Sequence, residues 1–170
     1  MEPGSDVIVI LLTGILHGRI MVDRGRPMTV KIILATKGSD VTTIEPTATL
    51  ETAIGILVEH QIGALVVLGA DHLVIGVLSE RDILRALAER GVGALTEPLA
   101  PLMTRNVPIC DQSATVSSIM EQMTTRKSRH VPVVEQQRLV GIVSIGDVVK
   151  HRLTQMEHES EALRDYIQTA

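Results

Sequence analysis

Residues 76–84 read Gly-Val-Leu-Ser-Glu-Arg-Asp-Ile-Leu, and residues 141–149 read Gly-Ile-Val-Ser-Ile-Gly-Asp-Val-Val. Gly76, Ser79 and Asp82 thus recur 65 positions later as Gly141, Ser144 and Asp147. Each copy ends an apolar, strand-like run and opens a helix-like one. A repeat of this length is one supersecondary unit used twice, so the chain reads as a tandem.

The repeat extends upstream of this phrase. Pro-Thr-Ala-Thr-Leu at 46–50 corresponds to Gln-Ser-Ala-Thr-Val at 112–116 with an offset of 66, and Val66-Val67 to Val133-Val134 with an offset of 67. The drift predicts one extra residue in the second copy near Lys127 and two in the first hairpin, around Gly69–His72. Insertions of this kind belong in turns.

Between these anchors the pattern is regular. Val41–Ile44 is extended, and Thr49 is placed to cap a helix carrying Leu50, Ala53, Ile54, Leu57 and Val58 at helical spacing. Ile62–Leu68 and Leu73–Leu78 read as strands of a hairpin, followed by a helix from Ser79 to Ala88 that Gly91 and Gly93 stop. The second copy repeats the order: Val107–Cys110 extended, Thr115–Thr124 helical, strands at Val131–Val134 and Leu139–Ser144, then a longer helix from Ile145. Val30–Ala35, an apolar run after Met28, reads as a first strand. The expected class is α/β (α+β): two β-α-β-β-α units packed with pseudo-twofold symmetry, plus a C-terminal helix. The expected boundaries are 1–36 for an N-terminal extension and first strand, 37–97 and 103–160 for the units, and 161–170 for the end of the C-terminal helix. Units of about 60 residues bury little apolar surface alone, so two would share a core. The cleft between them is the expected ligand site.

Composition narrows the function classes. Of 170 residues, 21 % are charged and 45 % hydrophobic; Phe and Trp are absent, and Tyr166 is the one aromatic. The core must be built of Val, Ile, Leu, Met and Ala. A net charge of −4 and no stacking aromatics argue against nucleic acid as partner. The apolar run Val7–Leu12 is shorter than the ~20 residues of a membrane span. Acidic Glu2 and Asp6 stand where a secretory signal carries basic residues. Residues 1–27 read either as an incidental extension or as an added strand or interaction arm. A lone Cys110 allows no intrachain disulfide and fits a reducing compartment, the cytoplasm. In the C-terminal helix, Val149, Leu153, Met156, Ser160, Leu163 and Ile167 are spaced as the seam of a helix pair. That face lies either on its own domain or against a second chain.

Ser-x-x-Asp at a helix start has a structural meaning, a capping box, and a chemical one. A carboxylate there can accept hydrogen bonds from two ribose hydroxyls, while the Ser hydroxyl and backbone N–H groups hold phosphate. The two roles are compatible. Arg81 is unfavourable for the helix dipole, which fits an anion beside it. Arg126-Lys-Ser-Arg-His130 is the one concentrated basic stretch: its cations complement a helix C-terminus, but Arg129 and His130 lead straight into a strand and toward the cleft. Lys37 is placed to add charge from the other edge. There is no Gly-x-Ser-x-Gly, phosphate-binding Walker loop or dinucleotide glycine motif, and His151 and His158 have no partners completing a zinc set. No catalytic residues and no metal site are expected.

Two β-α-β-β-α units each ending in Gly-h-h-Ser-x-x-Asp, where h is hydrophobic, resemble a tandem pair of cystathionine β-synthase (CBS) domains, a Bateman module. The likeness covers about residues 37–152. It is carried by Lys37-Gly, Ile62-Gly-Ala-Leu-Val-Val, Ser79-Glu-Arg-Asp-Ile-Leu, Arg129-His-Val-Pro-Val-Val and Ser144-Ile-Gly-Asp-Val-Val-Lys-His-Arg, which look like small stand-alone bacterial members. The resemblance implies a non-catalytic regulatory sensor of AMP, ATP or NAD(H), commonly a homodimer, acting in signal transduction on an effector protein outside this chain. It implies that Asp82 and Asp147 hold ribose and that Ser79, Ser144, Arg81 and Arg129 lie near phosphate. Thr42, Thr43 and Ile44 with Gly63 and Ala64 would contact the base, as would Pro108, Ile109, His130 and Val131. Ile145-Gly146 in place of Glu80-Arg81 leaves the second phosphate grip to Arg129. The alternative is a structural or protein-interaction module with vestigial clefts.

Overall fold

A computed structural model describes residues 28–169; the readings placed on residues 1–27 lie outside them. The chain runs α1 (Val30–Lys37), β1 (Thr43–Ile44), α2 (Leu50–His60), β2 (Ala64–Leu68), β3 (Val74–Ser79) and α3 (Glu80–Arg90). A 3₁₀ stretch at Gly91–Thr96 then leads to α4 (Val116–Arg126), β4 (His130–Glu135), β5 (Arg138–Ser144) and α5 (Ile145–Thr169). This is the expected tandem. β1 pairs parallel with β2, and β2 antiparallel with β3. In the second unit β4 and β5 form the hairpin, and the counterpart of β1 shrinks to one parallel bridge between Cys110 and Val133.

The apolar run at Val30–Ala35 makes up six of the eight residues of α1 and is not a strand. Val30, Ile33 and Leu34 lie at i, i+3 and i+4 and are buried, while Lys31 and Ile32 face outward. A six-residue stretch with five apolar residues does not choose between helix and strand by itself; the hydrophobic surface it meets decides.

The register also revises the repeat. Gly76 pairs with Val67 and Gly141 with Val133, so the offset in the β run is 66, not 67. α2 and α4 are both 11 residues long, and their caps, Gln61 and Lys127, both take φ 52°. No residue is inserted near Lys127, and the first hairpin carries one extra residue, not two. The second hairpin closes tightly through Gln136 and Gln137, both at positive φ, the geometry that matches strand twist.

The starts of α2, α3 and α4 were legible. The hydroxyls of Thr49, Ser79 and Thr115 accept N–H bonds from Thr52, Asp82 and Ser118. β2 and β4 are buried on both faces. In β2, Leu65 and Val67 face their own helices, whereas Ala64 and Val66 join Val77, Val107, Leu139 and Ile142 in a shared layer between the units. The sheets therefore meet face to face about the pseudo-twofold axis.

The two units also exchange their leading segments. α1, which precedes the first unit in sequence, packs into the core of the second with Val116, Ile119, Val131, Val143 and Val148. Leu99, Leu102 and Met103, which precede the second unit, complete the core of the first. The backbone seals both exchanges: Val116 N–H donates to Met28 O at 2.9 Å and, equivalently, Leu50 N–H to Glu97 O at 3.1 Å. This explains the repeated glycine. A Cβ on Gly76 would stand 2.7 Å from the carbonyl oxygen of Thr104, and one on Gly141 2.7 Å from Leu34 Cδ1. Both glycines exist so that the exchanged segments can press on the sheet.

Candidate functional site

The strand-to-helix turn after β3 delivers Ser79 and Asp82 to the seam between the units. Asp82 Oδ2 accepts the Ser79 N–H at 2.9 Å and the Ser79 hydroxyl at 2.6 Å. Its Oδ1 accepts Arg85 at 2.6 Å and the Thr104 hydroxyl at 2.9 Å. The carboxylate side chain is 5 % exposed, and four donors hold it. The capping box expected from the sequence is present.

A cleft of about 260 Å³ opens beside this turn. The first unit lines it with Gly63, Ser79, Arg81 and Asp82, and the second with Pro108, Arg129 and His130. Seven of the sequence-selected residues thus meet in one place. Thr104, Asn106 and Arg85 also line it and were not selected. Thr104 reaches the site only because the exchanged segment carries it across to Val77, a juxtaposition with no local sequence signal. Arg126 and Lys127, read as complements to a helix end, line the same cleft.

The remaining selected residues lie elsewhere. Ser144, Asp147 and Lys37 form a second cluster. Asp147 Oδ2 accepts the Ser144 N–H at 2.7 Å, the Ser144 hydroxyl at 2.8 Å and Lys37 Nζ at 2.8 Å, and Oδ1 takes part in none of these bonds. Burial raises the Asp147 pKa, but the bonds from Lys37 and Ser144 and the Lys37 charge outweigh it and hold the carboxyl below its ordinary value. Ile44, Ala64 and Val131 are buried in the cores and do not line this cleft. Thr43 and Ile109 are exposed but do not line this cleft, and Thr42 offers its carbonyl to Val66.

His130 stands between the two clusters. Its ring lies near Gly63, where an added Cβ would be 3.8 Å from Cε1. Burial lowers its pKa, assisted by the charges of Lys37 and Arg129 and opposed by Asp147 and Glu80. The imidazole is therefore neutral near pH 7 and senses charge on both sides. The Cys110 thiol is pushed up to about 12, first by burial and then by Asp111 and Glu135, so it is no nucleophile. Among the described residues no cluster of His, Cys, Asp and Glu is fit to hold a metal, and no helix is long and apolar enough to cross a membrane. The arrangement can hold a diol through a carboxylate and an anion through cations and the α3 N-terminus.

Known proteins share this architecture. A CBS-domain containing protein from Agrobacterium tumefaciens superposes with a TM-score of 0.71 at 46 % identity, covering 74 % of this chain and 99 % of that one. The CBS domain pair of protein MJ0100, solved in complex with 5′-methylthioadenosine and S-adenosyl-L-methionine, gives a TM-score of 0.68 at 26 % identity, covering 76 % of this chain and 99 % of that one. In sequence, CBS domain-containing protein CBSX3, mitochondrial, of Arabidopsis thaliana is 32 % identical over 124 residues; the match spans 71 % of this chain and 60 % of the plant protein. The CBS domain profile matches twice, over residues 34–89 and 99–154. With both units matched and the exchanged segments in place, the chain belongs to the CBS-domain family as a tandem pair.

Proposed function

We propose that the chain is a regulatory sensor that binds an adenine nucleotide (AMP, ATP or NAD(H)) in the cleft between its units and signals to an effector protein without catalysis. One observation carries this reading: Ser79, Asp82 and the α3 N-terminus of one unit face Arg129 and His130 of the other across a single cleft. The adenosine-type ligands in the MJ0100 complex support the choice of class. Ribose hydroxyls would compete with Thr104 and Arg85 for Asp82 Oδ1, whereas Oδ1 of Asp147 is open to them. Calorimetry with AMP, ATP and NADH tests the reading. Heat with none of the three would leave a structural or protein-interaction module.

The active species is proposed to be a homodimer. Val149, Leu153, Met156 and Ile167 are exposed along α5 at the spacing of a helix-pair seam. Sedimentation of the full chain and of one ending at Arg152 tests this; a monomer in both at micromolar concentration would refute it.

A further inference from the structure

Arg81, Arg126, Lys127 and Arg129 all line the Asp82 cleft. They come from the first turn of α3, the last residue of α4, its left-handed cap and the residue before β4. All four are exposed. None joins an ion pair of the described residues, which are Lys37–Asp147, Arg85–Asp82 and Arg90–Glu97. Glu80 and Asp82 are the acidic residues lining the cleft, and Asp82 is matched by Arg85. In a chain of net charge −4 this is a local excess of unpaired cations on facing elements. Their mutual repulsion is relieved by a bound polyanion, and the cleft walls focus their field.

The other half of the repeat supplies an internal control. Glu80 N–H donates to Gly63 O and, equivalently, Ile145 N–H donates to Arg129 O, so Gly63 is the counterpart of Arg129. The matched ends of α2 and α4 make His60 the counterpart of Arg126 and Gln61 that of Lys127. The repeated phrase makes Gly146 the counterpart of Arg81. All four cations are replaced by Gly, His, Gln and Gly. Lys37, the cation that reaches Asp147, is engaged by that carboxylate. The asymmetry is complete at the four positions that bring charge to the first cleft.

Building on the nucleotide reading above, we propose that the Asp82 cleft selects a nucleotide bearing two or more phosphates and that the Asp147 side does not. A single phosphate beside Ser79 meets the α3 N-terminus and Arg81. A longer phosphate chain also engages Arg126, Lys127 and Arg129 of the second unit. The cations thereby act as a gauge of phosphate number, and the ligand bridges the units.

The test is calorimetry with adenosine, AMP, ATP, inorganic phosphate and inorganic tripolyphosphate in magnesium-free buffer at low and moderate salt. The expected result is one ATP per chain, bound at least about tenfold more tightly than AMP, with the gap narrowing as salt rises. Arg126→Gln with Lys127→Gln, at an exposed helix end, should weaken ATP by about tenfold or more and leave adenosine unchanged. Circular dichroism of that variant verifies that the fold is kept. Equal binding of adenosine, AMP and ATP, or two equivalent ATP molecules per chain, would overturn the phosphate selectivity while leaving the nucleotide reading standing. Tripolyphosphate bound with no affinity for adenosine or for AMP over inorganic phosphate would overturn the adenine reading and uphold the charge assignment. No binding of any probe would overturn both.

Discussion

Asp82 and Asp147 occupy equivalent places in the two units, and both cap a helix through the same serine geometry. Yet Asp82 is 5 % exposed with both oxygens engaged, whereas Asp147 is 23 % exposed with one oxygen engaged. The difference comes from the exchanged segments. In the first unit Thr104 lies flat on β3 and closes over the carboxylate. In the second, α1 sets Leu34 against Gly141, and the long Lys37 side chain reaches Asp147. The fold thus engages both oxygens of one carboxylate and a single oxygen of the other.

This comparison is most directly broken by removing each carboxylate. Asp82→Ala strips a buried acceptor from four donors and should cost about 3 kcal/mol of stability. Asp147→Ala, whose donors turn to water, should cost about 1 kcal/mol. Urea denaturation measures both, and the reverse order would show that exposure does not separate them. The two glycines should diverge next. Gly76→Ala drives a Cβ against a backbone carbonyl and should cost about 2–3 kcal/mol, while Gly141→Ala meets the end of a leucine that can turn aside and should cost about 1 kcal/mol.

A pH series sharpens the contrast on a smaller scale. Asp147 is held below its ordinary value when folded, so its contribution is complete above about pH 4 and is lost as pH falls through its folded pKa. Lys37→Met should flatten that acid limb in urea midpoints. His130 is also depressed, so its neutral form contributes above the ordinary histidine pKa, and stability declines as pH falls below that value. A polyanion offsetting Arg129 should raise the His130 pKa, and nucleotide binding near pH 6 should then take up protons, as calorimetry in buffers of different ionisation heat would show. Smallest of all, Cys110 should react with iodoacetamide at pH 8 far more slowly than a free thiol, because its pKa is pushed up to about 12.

What could be read in advance followed the range of the interactions responsible. Helix starts at Thr49, Ser79 and Thr115 depend on three neighbouring residues and were legible. The hairpins were legible from paired apolar runs broken by turns. The state of Val30–Ala35 was not, because its helical face is defined by a core whose other members begin at Val116. The repeated carboxylates announced a site, but their inequivalence depends on Thr104 and Lys37 arriving from the opposite unit. Arg126 and Lys127 carried a sufficient local explanation as helix-end cations, which hid their place in the cleft until both units were in position.

The exchanged segments also set an order of assembly. During synthesis the first core can close once Met103 and Thr104 have emerged, since everything it packs precedes them. α1 is made earlier than any of it, yet its partners extend to Val148. At ribosomal rates of about 5–20 residues per second, the interval from Leu34 to Val148 is on the order of ten seconds. For that time Val30, Ile33 and Leu34 have no core of their own to enter. The first of the described helices in sequence is thus among the last to dock, and until it does the nascent chain carries an apolar face that a chaperone can recognise.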